Sequence, residues 1–148
     1  MSISVLRSRA AALLAAITLL LSGAPALAGE LVVIVSAHSP VEALAADQVA
    51  AIFLGQTARF PDGSIATAVD QPIGSGQRDG FYQRVAGKTP ALLKAHWSKM
   101  IFTGRGQPPR ELAGNAAVRQ AVASDPGAIG YIDREALDPT VRQVLLVH

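Results

Sequence analysis

The chain of 148 residues has no cysteine. That absence excludes disulfides, a lipid anchor on cysteine and the Cys-rich spacings of structural metal sites, so stability must come from a packed core. Histidine is scarce as well: His38, His96 and His148 stand far apart, with no His-x3-His pair, and no resident metal or other cofactor is expected. There is no Gly-x-Ser-x-Gly elbow and no recognisable nucleophile, base and acid set, so the chain does not read as an enzyme. A surplus of one charge is missing too. The 13 basic residues face 11 acidic ones, and Arg7 and Arg9 fall in the first 28 residues, which hold no acid. The remainder balances at 11 against 11, and the sequence pI of about 9.4 owes much to that beginning. Broad attraction to nucleic acid or anionic lipid is therefore not expected.

The beginning has its own pattern. Arg7 and Arg9 form a basic region, Ala10 to Leu21 is apolar, and Ala26-Leu27-Ala28 presents small residues at the positions a signal peptidase reads. The apolar run is short for a membrane span and gives way to Ser22-Gly-Ala-Pro25. Residues 1–28 are expected to be a cleaved export signal, with secretion to the periplasm and a mature start at Gly29. Residues 29–148 then form one domain.

Within that stretch, strand and helix patterns alternate. Leu31 to Val35 is a continuous apolar run, the mark of a buried strand. Asp47 to Leu54 has a helical apolar face of Val49, Ile52 and Phe53, with Gly55 suited to the turn beyond it. A turn over Arg59 to Ser64 leads to a strand at Ile65 to Val69. A helix follows from Gly76 to Ala86, ending at Gly87. The next starts at Thr89 or Pro90 and turns Leu92, Leu93, His96, Trp97 and Met100 inward, His96 at the core edge beside Trp97. Phe102 to Pro109 is a Gly/Pro-rich loop, Asn115 caps a helix through Val122, and Ala128 to Ile132 and Val144 to Val147 are strands. The fold class is α/β, a mixed or largely parallel sheet flanked by helices.

Gly74-Ser75-Gly76 carries the most chemistry. It stands at a helix N-terminus, where the first backbone N–H groups lack partners and the helix dipole is positive. The Ser75 hydroxyl can donate to an oxyanion, Gly76 allows close approach, and Arg78 adds charge in the first turn. The same pattern also suits a plain helix cap and turn. Ser36, His38 and Ser39 follow the first strand, where open α/β sheets place ligand groups, although a hydroxyl-stabilised turn into Pro40 fits too. Thr103, Arg105 and Gln107 occupy the Gly/Pro-rich loop and are candidates for binding or, for Arg105, a surface ion pair.

Four stretches resemble the periplasmic phosphate-binding proteins of ABC transporters. Leu44 to Gly55 is similar to that family's helix ending in Ile-Phe-x-Gly, and Phe60-Pro-Asp-Gly63 to its Trp-x-Asp-Gly turn. Gly74-Ser75-Gly76 with Phe81 resembles its phosphate loop, and Ala123 to Ile132 its Ala-Ile-Gly-Tyr segment. Ile101 to Pro109 looks like a stretch of the family's smaller, single-lobe members. The resemblance implies one lobe of a type 2 periplasmic binding protein. It implies a small oxyanion as ligand, phosphate first, held by Ser75, Gly76, Gln77 and Arg78 with support from Ser36 or Ser39 and from Arg105. An ABC-transporter permease or another envelope protein, or a second copy in a homodimer, would be the partner. The departures are specific: Gln71 stands where the family usually has Arg, and Gln77 where it has Thr. The carboxylate that takes the phosphate proton has no counterpart. They leave open an accessory or sensory interaction domain that has lost its ligand.

Overall fold

Six consecutive residues, Leu31–Ser36, are all buried and form β1. Successive side chains of a strand point to opposite faces, so Leu31, Val33 and Val35 serve one core and Val32 and Ile34 the other. The computed structural model describes residues 29–148; the export segment expected over 1–28 lies outside the described residues. The other elements are α1 (Ala46–Phe53), β2 (Thr67–Asp70), α2 (Gly76–Ala86), α3 (Pro90–Phe102), β3 (Arg110–Glu111), α4 (Asn115–Ala123), β4 (Ala128–Asp133) and β5 (Val141–Val147). A short 3-10 turn, Arg134–Ala136, precedes β5.

The five strands form one mixed sheet in the order β3-β2-β4-β1-β5. β1 runs antiparallel to both β4 and β5, while β2 is parallel to β4 and β3. On one face, Val49 and Phe53 of α1, Phe81 and Tyr82 of α2, and Leu93 and Trp97 of α3 pack on Val33, Val35 and Tyr131. Phe53 meets Phe81 and Tyr131 edge-on, at 4.8 and 5.7 Å between ring centroids, and Phe81 stacks on Tyr131 at 3.8 Å. On the other face, Val118 and Val122 of α4 cover Val32, Ile34, Val69 and Ile132.

Local sequence sets the helix ends. The Ser75 hydroxyl accepts from the Arg78 N–H at 3.3 Å to cap α2, and Gly87 ends it with φ +63°, a conformation glycine adopts freely. Thr89 caps α3, with Pro90 at its first position. His96 is half-buried, edge-on to Trp97. Its Nε2–H donates to the Leu54 carbonyl at 2.8 Å and ties α3 to the end of α1.

Four expectations need correction. Leu92 is 54% exposed, because α3 buries only the Leu93–Trp97 side of its surface. Ile65 lies in water before β2 begins and only bridges Arg59. Asn115 is the first residue of α4, with Gly114 in the cap position; the Asn115 side chain is engaged elsewhere. The loop after α3 contains β3, whose two residues are held as a strand by pairing with Val69 and Asp70.

Candidate functional site

The C-terminal end of β2 delivers the chain into the turn Gln71–Ser75 and then into α2. Gly74, at φ +86°, makes the reversal. Gly76 is exposed, and Ser75 and Gln77 are half-buried. Among the described residues no hydrogen bond takes up the backbone N–H of Gly76 or Gln77, whereas that of Arg78 goes to Ser75 Oγ. Two open donors thus stand at the positive end of an eleven-residue helix.

Around them lies a polar network built on Asp70, which is buried. One carboxylate oxygen accepts from the Tyr131 hydroxyl and from the Gln71 N–H. The other accepts from the Tyr82 hydroxyl at 2.6 Å and from Arg78 Nε at 3.4 Å. Burial pushes the Asp70 carboxyl above the usual carboxylate range, against the pull of the two tyrosine hydroxyls and Arg78. Burial and the facing Asp70 charge push both tyrosine hydroxyls up as well. The Arg78 guanidinium, 5.4 Å over the Tyr82 ring, is committed inward and is not the surface charge expected from its place in the first turn.

Asp133 forms the second half of the network. Its Oδ2 accepts from Gln77 Nε2 at 3.1 Å and from Asn115 Nδ2 at 2.7 Å. Gln71 is also spent: its amide donates to the Tyr131 carbonyl and to Asn115 Oδ1, at 3.0 and 3.1 Å. Sequence reasoning singled out Gln71 and Gln77 but missed Asp70, Asn115, Tyr131 and Asp133. The only local signal was an acid at the end of each of the two strands, Asp70 and Asp133.

Ser36 and Ser39 are elsewhere. Because β1 is antiparallel to β4 and β2 is parallel to it, β1 finishes at the opposite end of the strands from α2's start. The six residues of β1 separate the two ends by roughly 17 Å. Both hydroxyls are buried in a turn: Ser36 Oγ donates to the Ala123 carbonyl and accepts from the His38 N–H, and Ser39 Oγ accepts from the Val41 N–H. Ser36 and Ser39 are therefore not brought to the α2 turn.

Arg105 and Gln107 are also apart from it. They line a cavity of about 620 Å³ along the open part of β2. A second groove, about 660 Å³, opens beside α2 and contains Gly74 and Arg78. Trp97, Pro108 and Pro109 belong to both and separate them. The Trp97 indole N–H is buried without a partner among the described residues. Arg105 makes no ion pair among those residues, and the Thr103 hydroxyl is spent on the Lys99 carbonyl. No group of three or more His, Cys, Asp or Glu among the described residues is placed to hold a metal ion.

No family model and no curated protein matches the chain. Solved structures do. A Clostridium perfringens protein with bound phosphate, assigned as a phosphate ABC transporter substrate-binding protein, superposes with a TM-score of 0.63 at 22% identity, over 78% of this chain and 44% of its own. An ABC-type phosphate transport receptor from Vibrio cholerae gives 0.62 at 18% identity, over 78% and 45%. PstS from Borrelia burgdorferi gives 0.56 at 14%, over 78% and 46%. The chain spans less than half the length of these structures. At such identities the likeness shows the fold alone: a five-stranded mixed sheet flanked by helices, as in part of a periplasmic phosphate-binding protein.

Proposed function

We propose that this chain is an exported, non-catalytic binding domain for a small oxyanion, phosphate being the first candidate. The observation that supports it most is the pair of unengaged N–H groups of Gly76 and Gln77 at the capped start of α2, in a fold like that of phosphate-binding proteins. A helix N-terminus of this kind binds anions through its amides and dipole. The Ser75 hydroxyl proton adds a third donor. Among the described residues no helix is long and apolar enough to cross a membrane. An ABC transporter of the envelope is the partner that the fold neighbours suggest.

Isothermal titration of the protein with phosphate and with sulfate tests this reading, alongside thermal melts in the same anions. A ligand that binds only the folded state must raise the melting midpoint by mass action. Saturable heat and a raised midpoint at millimolar anion support oxyanion binding. No response to either anion supports a second reading, an accessory interaction domain without a ligand. One contact favours that second reading: Asp133 already brings a carboxylate to the side chain of Gln77.

A further inference from the structure

β3 pairs with only the last two residues of β2, Val69 and Asp70, so Thr67 and Ala68 have no strand beside them on that side. The cause is local. Pro108 and Pro109 precede β3, and without an N–H neither can add its own bond to the ladder. Small side chains deepen the gap: Ala66 and Ala68 from the β2 segment, Ala121 from α4 and Ala128 from β4. The result is the cavity of about 620 Å³ that Trp97 and Pro108 also line. Its size is that of pockets which enclose small organic molecules.

The polar groups of this cavity define the charge of its occupant. Arg105 and Arg110 both line it, with the Gln107 amide and the Thr67 hydroxyl as further donors. Among the described residues neither arginine forms an ion pair. The one acid in the lining, Asp125, pairs with neither of them, and its Oδ1 accepts from the Gly127 N–H at 2.8 Å. Two unpaired cations thus stand against one acid, and a guanidinium offers the planar pair of donors that matches a carboxylate. An inorganic anion would satisfy the arginines but leave the alanine floor and the Trp97 and Pro108 surfaces in water. A ligand that also carries a flat apolar body would cover them. We propose that this cavity binds a small organic acid, its carboxylate held by Arg105 and Arg110 and its apolar body laid on the alanine floor against Trp97 and Pro108. No residue of the α2 turn lines the cavity, so the inference is independent of the oxyanion reading.

Amide NMR spectra of isotope-labelled protein, titrated with benzoate, test it. Benzoate at millimolar concentration should move the backbone signals of Thr67, Ala68 and Gln107 saturably. Benzamide, its neutral analogue of the same shape, should bind about tenfold more weakly, because it lacks the charge that the arginines receive. Arg105→Gln and Arg110→Gln should each weaken benzoate binding by about the same factor. Both side chains are exposed, so neither change should disturb folding, and circular dichroism melts check this. Inorganic phosphate should leave the three signals in place, whatever it does at Gly76 and Gln77, so the two readings fail separately. Benzoate that moves none of the three signals, or only those of Gly76 and Gln77, overturns the proposal. So does benzamide binding as tightly as benzoate, phosphate moving the same three signals, or either arginine variant binding benzoate as the wild type does.

Discussion

Gln77 Nε2 donates to Asp133 Oδ2 at 3.1 Å, and this bond brings a carboxylate from the end of β4 to the first turn of α2. Asn115, at the start of α4, donates to the same oxygen. The Asp133 charge therefore lies between two helix N-termini, the position that favours an anion. An oxyanion at the proposed α2 site would meet the like charge of this side chain.

Asp133→Asn keeps an acceptor for Gln77 and Asn115 and removes the charge. Relief of a like charge next to the α2 turn should tighten phosphate binding about tenfold, equivalent to about 1.4 kcal/mol. Calorimetric titration of the variant against wild type measures it. Equal or weaker affinity would dissociate Asp133 from the proposed binding turn.

Ser75→Ala acts on stability and on binding together. The hydroxyl caps α2 by accepting from the Arg78 N–H, and loss of such a cap costs about 1 kcal/mol. Its proton is the one an oxyanion would receive, and a hydrogen bond to a charged group is worth about 1.5–3 kcal/mol, so affinity should fall about tenfold or more. Ser75→Thr should restore most of both. Urea unfolding and calorimetry read the two effects separately.

Arg78→Ala should instead unfold much of the protein. Its guanidinium faces buried Asp70 at 3.4 Å, and removing one member of a buried pair costs about 3–5 kcal/mol because the other charge is left uncompensated. A chemical denaturation midpoint close to wild type would mean that water reaches Asp70 without cost.

Asp70 also fixes the sign of one pH dependence. Its folded carboxyl titrates above the ordinary value of 3.8, so between that value and the raised one the folded state holds the proton more tightly. The resulting stability is complete below 3.8 and is lost as pH rises through the folded value. Exposed Asp62 behaves oppositely: its bonds from Ser64 lower its titration, and its contribution is lost as pH falls. The stability advantage of wild type over Asp70→Asn should therefore shrink as pH is raised from 4 towards neutrality, measured by urea unfolding at each pH. A constant difference would show that Asp70 titrates normally.

The parts that sequence revealed are those governed by neighbours along the chain. The Gly76–Ala86 helix has the bounds read from Ser75, Phe81 and Gly87, because capping and turn chemistry act over a few residues. The continuous apolar run of β1 identified a fully buried strand for the same reason. Strand direction is not local, and Ser36 and Ser39 fell at the wrong end of the sheet because β1 runs antiparallel to β4. Arg78 looked like a surface charge since nothing near it in sequence announces that Tyr82 and Tyr131 enclose its partner, Asp70. Asp133 meets Gln77 across 56 positions, a separation that no periodicity encodes.

Gly130 shows the same limit from the packing side. In sequence it belongs to the Ala128–Ile132 strand and to the Ala-Ile-Gly-Tyr segment, yet it is also where α4 comes down on the sheet. A Cβ at this position would lie 2.6 Å from Val118 Cγ1, 3.1 Å from Val122 Cγ2 and 3.2 Å from Val69 Cγ2. All three methyl groups are buried, and the nearest distance is far inside van der Waals contact, so α4 would have to shift outward. Gly130→Ala should cost about 1–3 kcal/mol, the usual penalty for overpacking a filled core. Val118→Ala alone should also destabilise, by removing buried methyl groups. Combined, the two should cost less than the sum of the single changes, because the space lost at Val118 admits the new methyl. Urea unfolding of the four proteins in this cycle measures the coupling. Strict additivity would mean that Val118 and Gly130 do not touch in the folded protein.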